Sequence, residues 1–102
     1  MAMERSEKRV LTPMITSTHK EDGSGLHIDV DLAGAPKESI ELEMGKEGLC
    51  VQAEADDFRY ESCFRLAHTA RAEEARAHFE SGLLRIDVPF ENILGGHKVT
   101  IQ

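Results

Sequence analysis

Ala77-His78-Phe79-Glu80-Ser81-Gly82-Leu83-Leu84-Arg85-Ile86-Asp87-Val88, closed by Pro89, is two runs of alternating residues joined at Ser81-Gly82. Ala77 and Phe79 point one way, His78 and Glu80 the other. Beyond the joint, Leu84, Ile86 and Val88 share a face opposed by Leu83, Arg85 and Asp87. Period-two alternation on both sides of a Ser-Gly pair predicts a β-hairpin. Gly82 takes the positive φ that a tight hairpin turn demands. Pro89 has no N–H to give to a ladder and ends the second strand.

Working outward, the same period recurs. Leu26, Ile28, Val30 and Leu32 alternate with His27, Asp29 and Asp31; Ile40, Leu42 and Met44 with Glu41 and Glu43. Leu49, Val51 and Ala53 alternate with Cys50, Gln52 and Glu54; Tyr60, Ser62, Phe64 and Leu66 with Glu61, Cys63 and Arg65. Met14 to Lys20, rich in Thr and Ile, reads as a further strand. The breaks fall at Glu21–Gly25, Ala33–Pro36 and Gly45–Gly48, all turn chemistry. Strand after strand with one apolar face each predicts two sheets packed on each other. The competing segment is His68 to Ala77, alanine-rich and opened by Thr69, a possible cap. It predicts at most a helical turn near Arg71 to Ala75.

At 102 residues the chain makes one domain, with 40% apolar and 30% charged residues. Its net charge of −7 argues against nucleic acid as a partner, which calls for a basic stripe. No stretch has the length of a membrane span or the form of a signal peptide, so the expected place is the cytoplasm and no membrane partner is expected. No nucleophile elbow, phosphate loop or H-E-x-x-H occurs. His19, His27, His68, His78 and His97 are scattered, and Cys50 and Cys63 are not C-x-x-C. The carboxylates Asp29, Asp31, Glu41 and Glu43 read as solvated sheet faces. The expectation is therefore no enzyme, no catalytic or metal residues and no cofactor.

The chain resembles the small heat-shock proteins, the family of the α-crystallin domain. Ala77 to Leu84 resembles that family's A-x-F-x-N-G-x-L motif. Asp31 to Ile40 looks like its D-L-P-G-x-x-K-E-D-I segment, and Leu49 to Glu54 like its L-x-I-x-A/G-E strand. Tyr60 to Ala67 is similar to F-x-R-x-F-x-L-P, and Val99-Thr100-Ile101 stands where the family carries an I-x-I tail. The resemblance runs from about Leu26 to Ile101 and implies an all-β fold: a two-sheet antiparallel sandwich of the α-crystallin, immunoglobulin-like type. Three departures stand out. Ser62 replaces an arginine used at the family's dimer interface, and Ala67 replaces a proline. Only Ala55 to Arg59 separates Glu54 from Tyr60, where bacterial and plant members carry a long loop that swaps between subunits. Dimerisation by that swap is not expected here.

The resulting division is a short flexible arm at 1–12, a sandwich domain at 13–89, and a linker with a V-x-I tail at 90–102. The resemblance implies an ATP-independent holdase chaperone that binds unfolded or partly folded client proteins. The alternative is a p23-like interaction module that docks on one folded partner. The candidate client groove lies between Ile40, Leu42 and Met44 on one strand and Ala77 and Phe79 on another. A candidate edge for dimer or client runs through Phe58, Tyr60, Ser62 and Phe64. Val99 and Ile101 point the same way in an extended strand and suit a narrow groove with two pockets, though such a triplet also fits an ordinary edge strand. Self-association as a dimer or small oligomer is expected. A two-residue turn at Asp56-Asp57 sets Ala53 against Tyr60, Val51 against Ser62 and Leu49 against Phe64 on the inner face. Glu54 then meets Arg59 and Cys50 meets Cys63 on the outer face. In a reducing cytosol the cysteines are expected as two thiols, with a disulfide on oxidation.

Overall fold

The computed structural model of the protein describes residues 8–91 and 99–102. Eight strands occur among the described residues: β1 (Arg9–Leu11), β2 (Ile15–His19), β3 (Gly25–Asp31), β4 (Glu41–Met44), β5 (Gly48–Glu54), β6 (Phe58–Arg65), β7 (Arg76–Glu80) and β8 (Leu83–Pro89). They form two four-stranded sheets, ordered β1-β6-β5-β4 and β2-β3-β8-β7. Every pairing is antiparallel except β1 with β6. This is the all-β, two-sheet sandwich that the alternation predicts.

The core follows directly from that alternation. Leu26 pairs with Val88, Ile28 with Ile86 and Val30 with Leu84, and none of the six is more than 7% exposed. Leu49, Val51 and Ala53 of β5 face them from the other sheet and are equally buried. The intervening residues, His27, Asp29, Arg85, Gln52 and Glu54, stay at least partly in solvent. Full burial of a Val, Leu or Ile side chain stabilises by roughly 1.5–3 kcal/mol, so these two strand triplets and β5 carry most of the driving force.

Both tight turns form where the sequence places them. Glu80 pairs with Leu83, leaving Ser81 (φ 53°) and Gly82 (φ 83°) as the loop. Two positive φ values match the right-handed twist of the flanking strands. The Gly82 carbonyl also accepts the Leu32 N–H at 2.8 Å, tying the hairpin to the end of β3. At the other turn the Ala55 N–H donates to the Phe58 carbonyl at 2.9 Å, so Asp56-Asp57 is the two-residue link. The β5–β6 register is Leu49–Phe64, Val51–Ser62 and Ala53–Tyr60 inside, with Cys50–Cys63 and Glu54–Arg59 outside.

The alanine-rich segment gives a single 3-10 turn at Ala72–Glu74. Its helix propensity loses to tertiary ties. Ala70 is 1% exposed and bridges to Phe90, and the Arg71 N–H donates to the Pro89 carbonyl at 2.8 Å. Two other expectations are corrected. Of the segment assigned to a flexible arm, Arg9–Leu11 is a strand paired parallel to Phe58–Tyr60, while residues 1–7 lie outside the described residues. Phe90, assigned to the linker, is 4% exposed, and its N–H donates to the Ser24 carbonyl at 2.8 Å, so the sandwich reaches past Pro89. The rest of that linker, 92–98, lies outside the described residues.

Candidate functional site

The expected edge on β6 is half occupied. Phe58 and Tyr60 belong to the stretch that β1 covers, with Arg9 opposite Phe58 and Leu11 opposite Tyr60. This corrects the edge read from sequence: Phe58 and Tyr60 are not on open backbone. The reason is the β6 backbone itself, which pairs with Arg9–Leu11 and makes a short strand where a mobile segment was expected. Tyr60 is further fixed by its hydroxyl, which donates to the Ala33 carbonyl at 2.8 Å, and by the Phe58 ring, 5.2 Å away centre to centre and edge-on. From Glu61 to Arg65 no strand pairs with that side of β6 among the described residues. Ser62 and Phe64 therefore remain at an open edge.

The five groove residues sit at the terminal strands of the two sheets. Leu42 and Met44 lie on β4, the last strand of one sheet, with Ile40 just before it; Ala77 and Phe79 lie on β7, the last strand of the other. Ile40, Leu42, Met44 and Phe79 pack on the core while staying half-exposed, and Ala77 is exposed. Apolar side chains at unpaired sheet edges keep surface free for another chain. The tail residues are still more open: Val99 is 81% exposed and Ile101 93%. Met14, at 74%, is a further exposed apolar side chain.

On the outer face of the first sheet, Cys50 and Cys63 are joined in a disulfide, with Cα atoms 4.0 Å apart. Two thiols were expected; the register brings the sulfurs within bonding reach. A cavity of about 570 Å³ reaches the bridge, lined among others by Glu43, Met44, Leu49, Phe64 and Arg65. The sequence held the cysteine pairing but no sign of this cavity, which depends on how the β4–β5 turn meets β6. Charge pairing on this face also differs from expectation. Glu54 stands opposite Arg59 in register, yet its carboxylate accepts from Lys8 Nζ at 2.9 Å, while Arg59 lies 3.8 Å from Glu61. Lys8 arrives with β1. Its hydrogen bond and then its charge hold the Glu54 carboxyl below the usual glutamate range. Asp22 is held low in the same way by hydrogen bonds from Ser24.

On the outer face of the second sheet, Asp87 meets Lys20 Nζ at 2.9 Å and His27 Nδ1 at 3.3 Å, and Arg85 Nε lies 3.9 Å from Asp29. These rows of opposite charge read as a solvated sheet face. Among the described residues no three His, Cys, Asp or Glu side chains come together as a metal site, and no helix is long and apolar enough to cross a membrane.

A two-sheet sandwich with half-exposed apolar residues on its terminal strands defines the class. No family model matches the sequence, and no curated protein does. Solved structures do match. The hspA of Xanthomonas axonopodis superposes with a TM-score of 0.71 at 19% identity, covering 85% of this chain and 99% of that one. Heat shock protein 16.0 from Schizosaccharomyces pombe gives 0.70 at 18% identity, covering 90% and 76%. A small heat-shock protein from Xylella fastidiosa, described as having a distinct high order structure, gives 0.68 at 18% identity, covering 90% and 97%. The chain has the α-crystallin-type sandwich fold of the small heat-shock proteins.

Proposed function

We propose that the protein is an ATP-independent holdase of the small heat-shock type, not an enzyme, working in the cytoplasm on unfolded or partly folded proteins. The observation that carries this reading is the match of nearly the whole chain to solved small heat-shock proteins. The surfaces support it. A holdase acts by binding partly unfolded chains and so shifting their equilibrium. Half-exposed Leu42, Met44 and Phe79 offer apolar contact, and Glu61–Arg65 offers unpaired backbone for an added strand. In this reading Ile40, Leu42, Met44, Ala77 and Phe79 line one groove, and Val99 and Ile101 are a docking pair for it, on the same or a neighbouring domain. The protein then self-associates as a dimer or another small species. The test is light scattering with a heat-labile client and no nucleotide. Suppression of aggregation near one-to-one ratios is expected; none at several-fold excess refutes the reading.

A p23-like module that docks on one folded partner is the second reading. The two-residue turn at Asp56-Asp57 and the cover of β1 over Phe58–Tyr60 favour it, because both remove surface for promiscuous or subunit-swapped contacts. Tight binding to a single folded protein, without suppression of client aggregation, decides for it.

A further inference from the structure

The Cys50–Cys63 bridge has two unlike sides. Both side chains project from the outer face of the sheet, since Leu49, Val51 and Phe64 turn toward the core. Beyond Cys50 comes β4, with Glu43 directly opposite. Beyond Cys63 no strand follows among the described residues, because β1 pairs only as far as Tyr60, and Cys63 is exposed where Cys50 is half-buried. A thiolate attacks a disulfide sulfur from the side away from the sulfur that leaves. The bond joins neighbouring strands, so the approach to Cys63 Sγ passes over the open edge of β6. The approach to Cys50 Sγ passes over β4 and its glutamate.

Charge separates the two approaches in the same sense. Arg65, two residues from Cys63 and on its face, attracts an anionic attacker, and Glu43 repels one. Glu61 also shares the face of Cys63, but its carboxylate accepts from Gln52 Nε2 at 3.1 Å and lies 3.8 Å from Arg59, which offset its charge. Exposed bridges are the labile members of their class.

We propose that the Cys50–Cys63 bridge is a thiol–disulfide exchange site for small soluble thiols, with Cys63 the sulfur attacked and Cys50 the leaving group. The thiolate RS⁻ bonds to Cys63 Sγ, the bridge breaks, and its electron pair leaves on Cys50 Sγ, which takes a proton. A second RS⁻ attacks the small-thiol sulfur of the mixed disulfide and releases the Cys63 thiolate, which is also protonated. The sum is reduction of the bridge to two cysteine thiols and oxidation of two RSH to RSSR; RSSR run in reverse restores the bridge. The exchange resets the hairpin, since the bond closes a loop across β5 and β6 with a sequence separation of 13. Removing such a link raises the open population of the hairpin on the order of 100-fold. This inference stands on the hairpin and does not depend on the chaperone reading.

The test treats the oxidised full chain with reduced glutathione, quenches it with iodoacetamide at intervals, and maps both cysteines by mass spectrometry. The expected intermediate carries glutathione on Cys63 and the alkyl group on Cys50, and Glu43→Gln shifts part of the adduct to Cys50. Hydrogen exchange is then measured on both redox forms. Amides that bond across the hairpin between β5 and Glu61–Arg65 exchange faster in the reduced form, by about 100-fold. An adduct on Cys50 in excess or in equal amount overturns the assignment of the attacked sulfur. A bridge that glutathione leaves intact in the folded protein, while reducing it in urea, overturns the site. Equal exchange in the two forms overturns the effect on the hairpin.

Discussion

The β7–β8 turn sets which face β7 shows, and with it the exposure of Phe79, so Gly82→Ala is the sharpest single perturbation of the edge. Gly82 sits at φ 83°, and a Cβ built there comes within 3.3 Å of Ala33 Cα. An L-residue in the left-handed region costs about 1–2 kcal/mol. Against this, Ala restricts the unfolded chain and returns about 0.4–1 kcal/mol. The contact with Ala33 adds to the cost, because the Ala33 backbone is held by the Leu32 N–H bond to Gly82 O at 2.8 Å and by the Tyr60 hydroxyl. The net expectation is a loss of roughly 1–2 kcal/mol, which at about 4–8 °C per kcal/mol lowers Tm by roughly 5–15 °C. Ser81→Asn is the opposite control. Ser81 holds φ 53° without being glycine, and Asn enters that region more readily. A gain in stability is expected, since Asn-Gly is the favoured pair for a turn with two positive φ values. Urea unfolding followed by circular dichroism reads both variants, with an unchanged m-value as the sign that stability alone has moved. If Gly82→Ala unfolds at or above the parent midpoint, backbone conformation at this turn does not govern the hairpin and the reasoning fails.

Three further outcomes are expected. Val99→Ala with Ile101→Ala removes two exposed β-branched side chains whose burial is worth roughly 2–5 kcal/mol before ordering costs, so the assembly shifts to smaller species or binds more hydrophobic dye; a double variant equal to the parent in mass, stability and dye binding refutes tail docking. Ile28→Val, at a fully buried position on β3, costs about 0.5–1.5 kcal/mol in chemical denaturation, and no loss places the core elsewhere. The Glu54 carboxyl is lowered in the folded state, chiefly by the Lys8 hydrogen bond, so its small contribution is complete above the ordinary glutamate value and fades as pH falls through the lowered one; Lys8→Met flattens that part of the acid limb, as an amide titration by NMR would read.

The strands were legible because each needs one apolar face, and period two writes that need into the chain. The β5–β6 register was legible for a stricter reason. The two-residue turn at Asp56-Asp57 picks one alignment: it puts Leu49, Val51 and Ala53 on the same side as Tyr60, Ser62 and Phe64, and a slip of one residue breaks the set. What escaped was set by partners distant in sequence. Arg9–Leu11 has too few residues to show a period, and only the β6 backbone makes it a strand. Phe90 follows the proline that ends the alternating run, so its burial, with backbone ties to Ser24 and Ala70, had no local signal. Lys8 displaces Arg59 at Glu54 because β1 carries it there, which no reading of the hairpin alone contains.

The four sheet edges are not equally guarded, and the difference bears on where another chain adds. β4 exposes Glu41 and Glu43, and β7 exposes Arg76, His78 and Glu80, charges that discourage edge-to-edge association. β2 presents Thr16, Ser17 and Thr18, polar but uncharged. β1 protects β6 over only three residues. Beyond it, Glu61 and Arg65 bracket Ser62-Cys63-Phe64, where the backbone is unpaired and the centre carries no charge. Charges at both ends with a neutral middle limit the length of strand that can add without excluding a short one. A second copy laid antiparallel on this stretch sets Glu61 against Arg65 and Arg65 against Glu61, a favourable pairing at both ends. A parallel copy in register sets like against like. Were a second copy to add at Glu61–Arg65, this charge pattern would favour the antiparallel arrangement over the parallel one in register.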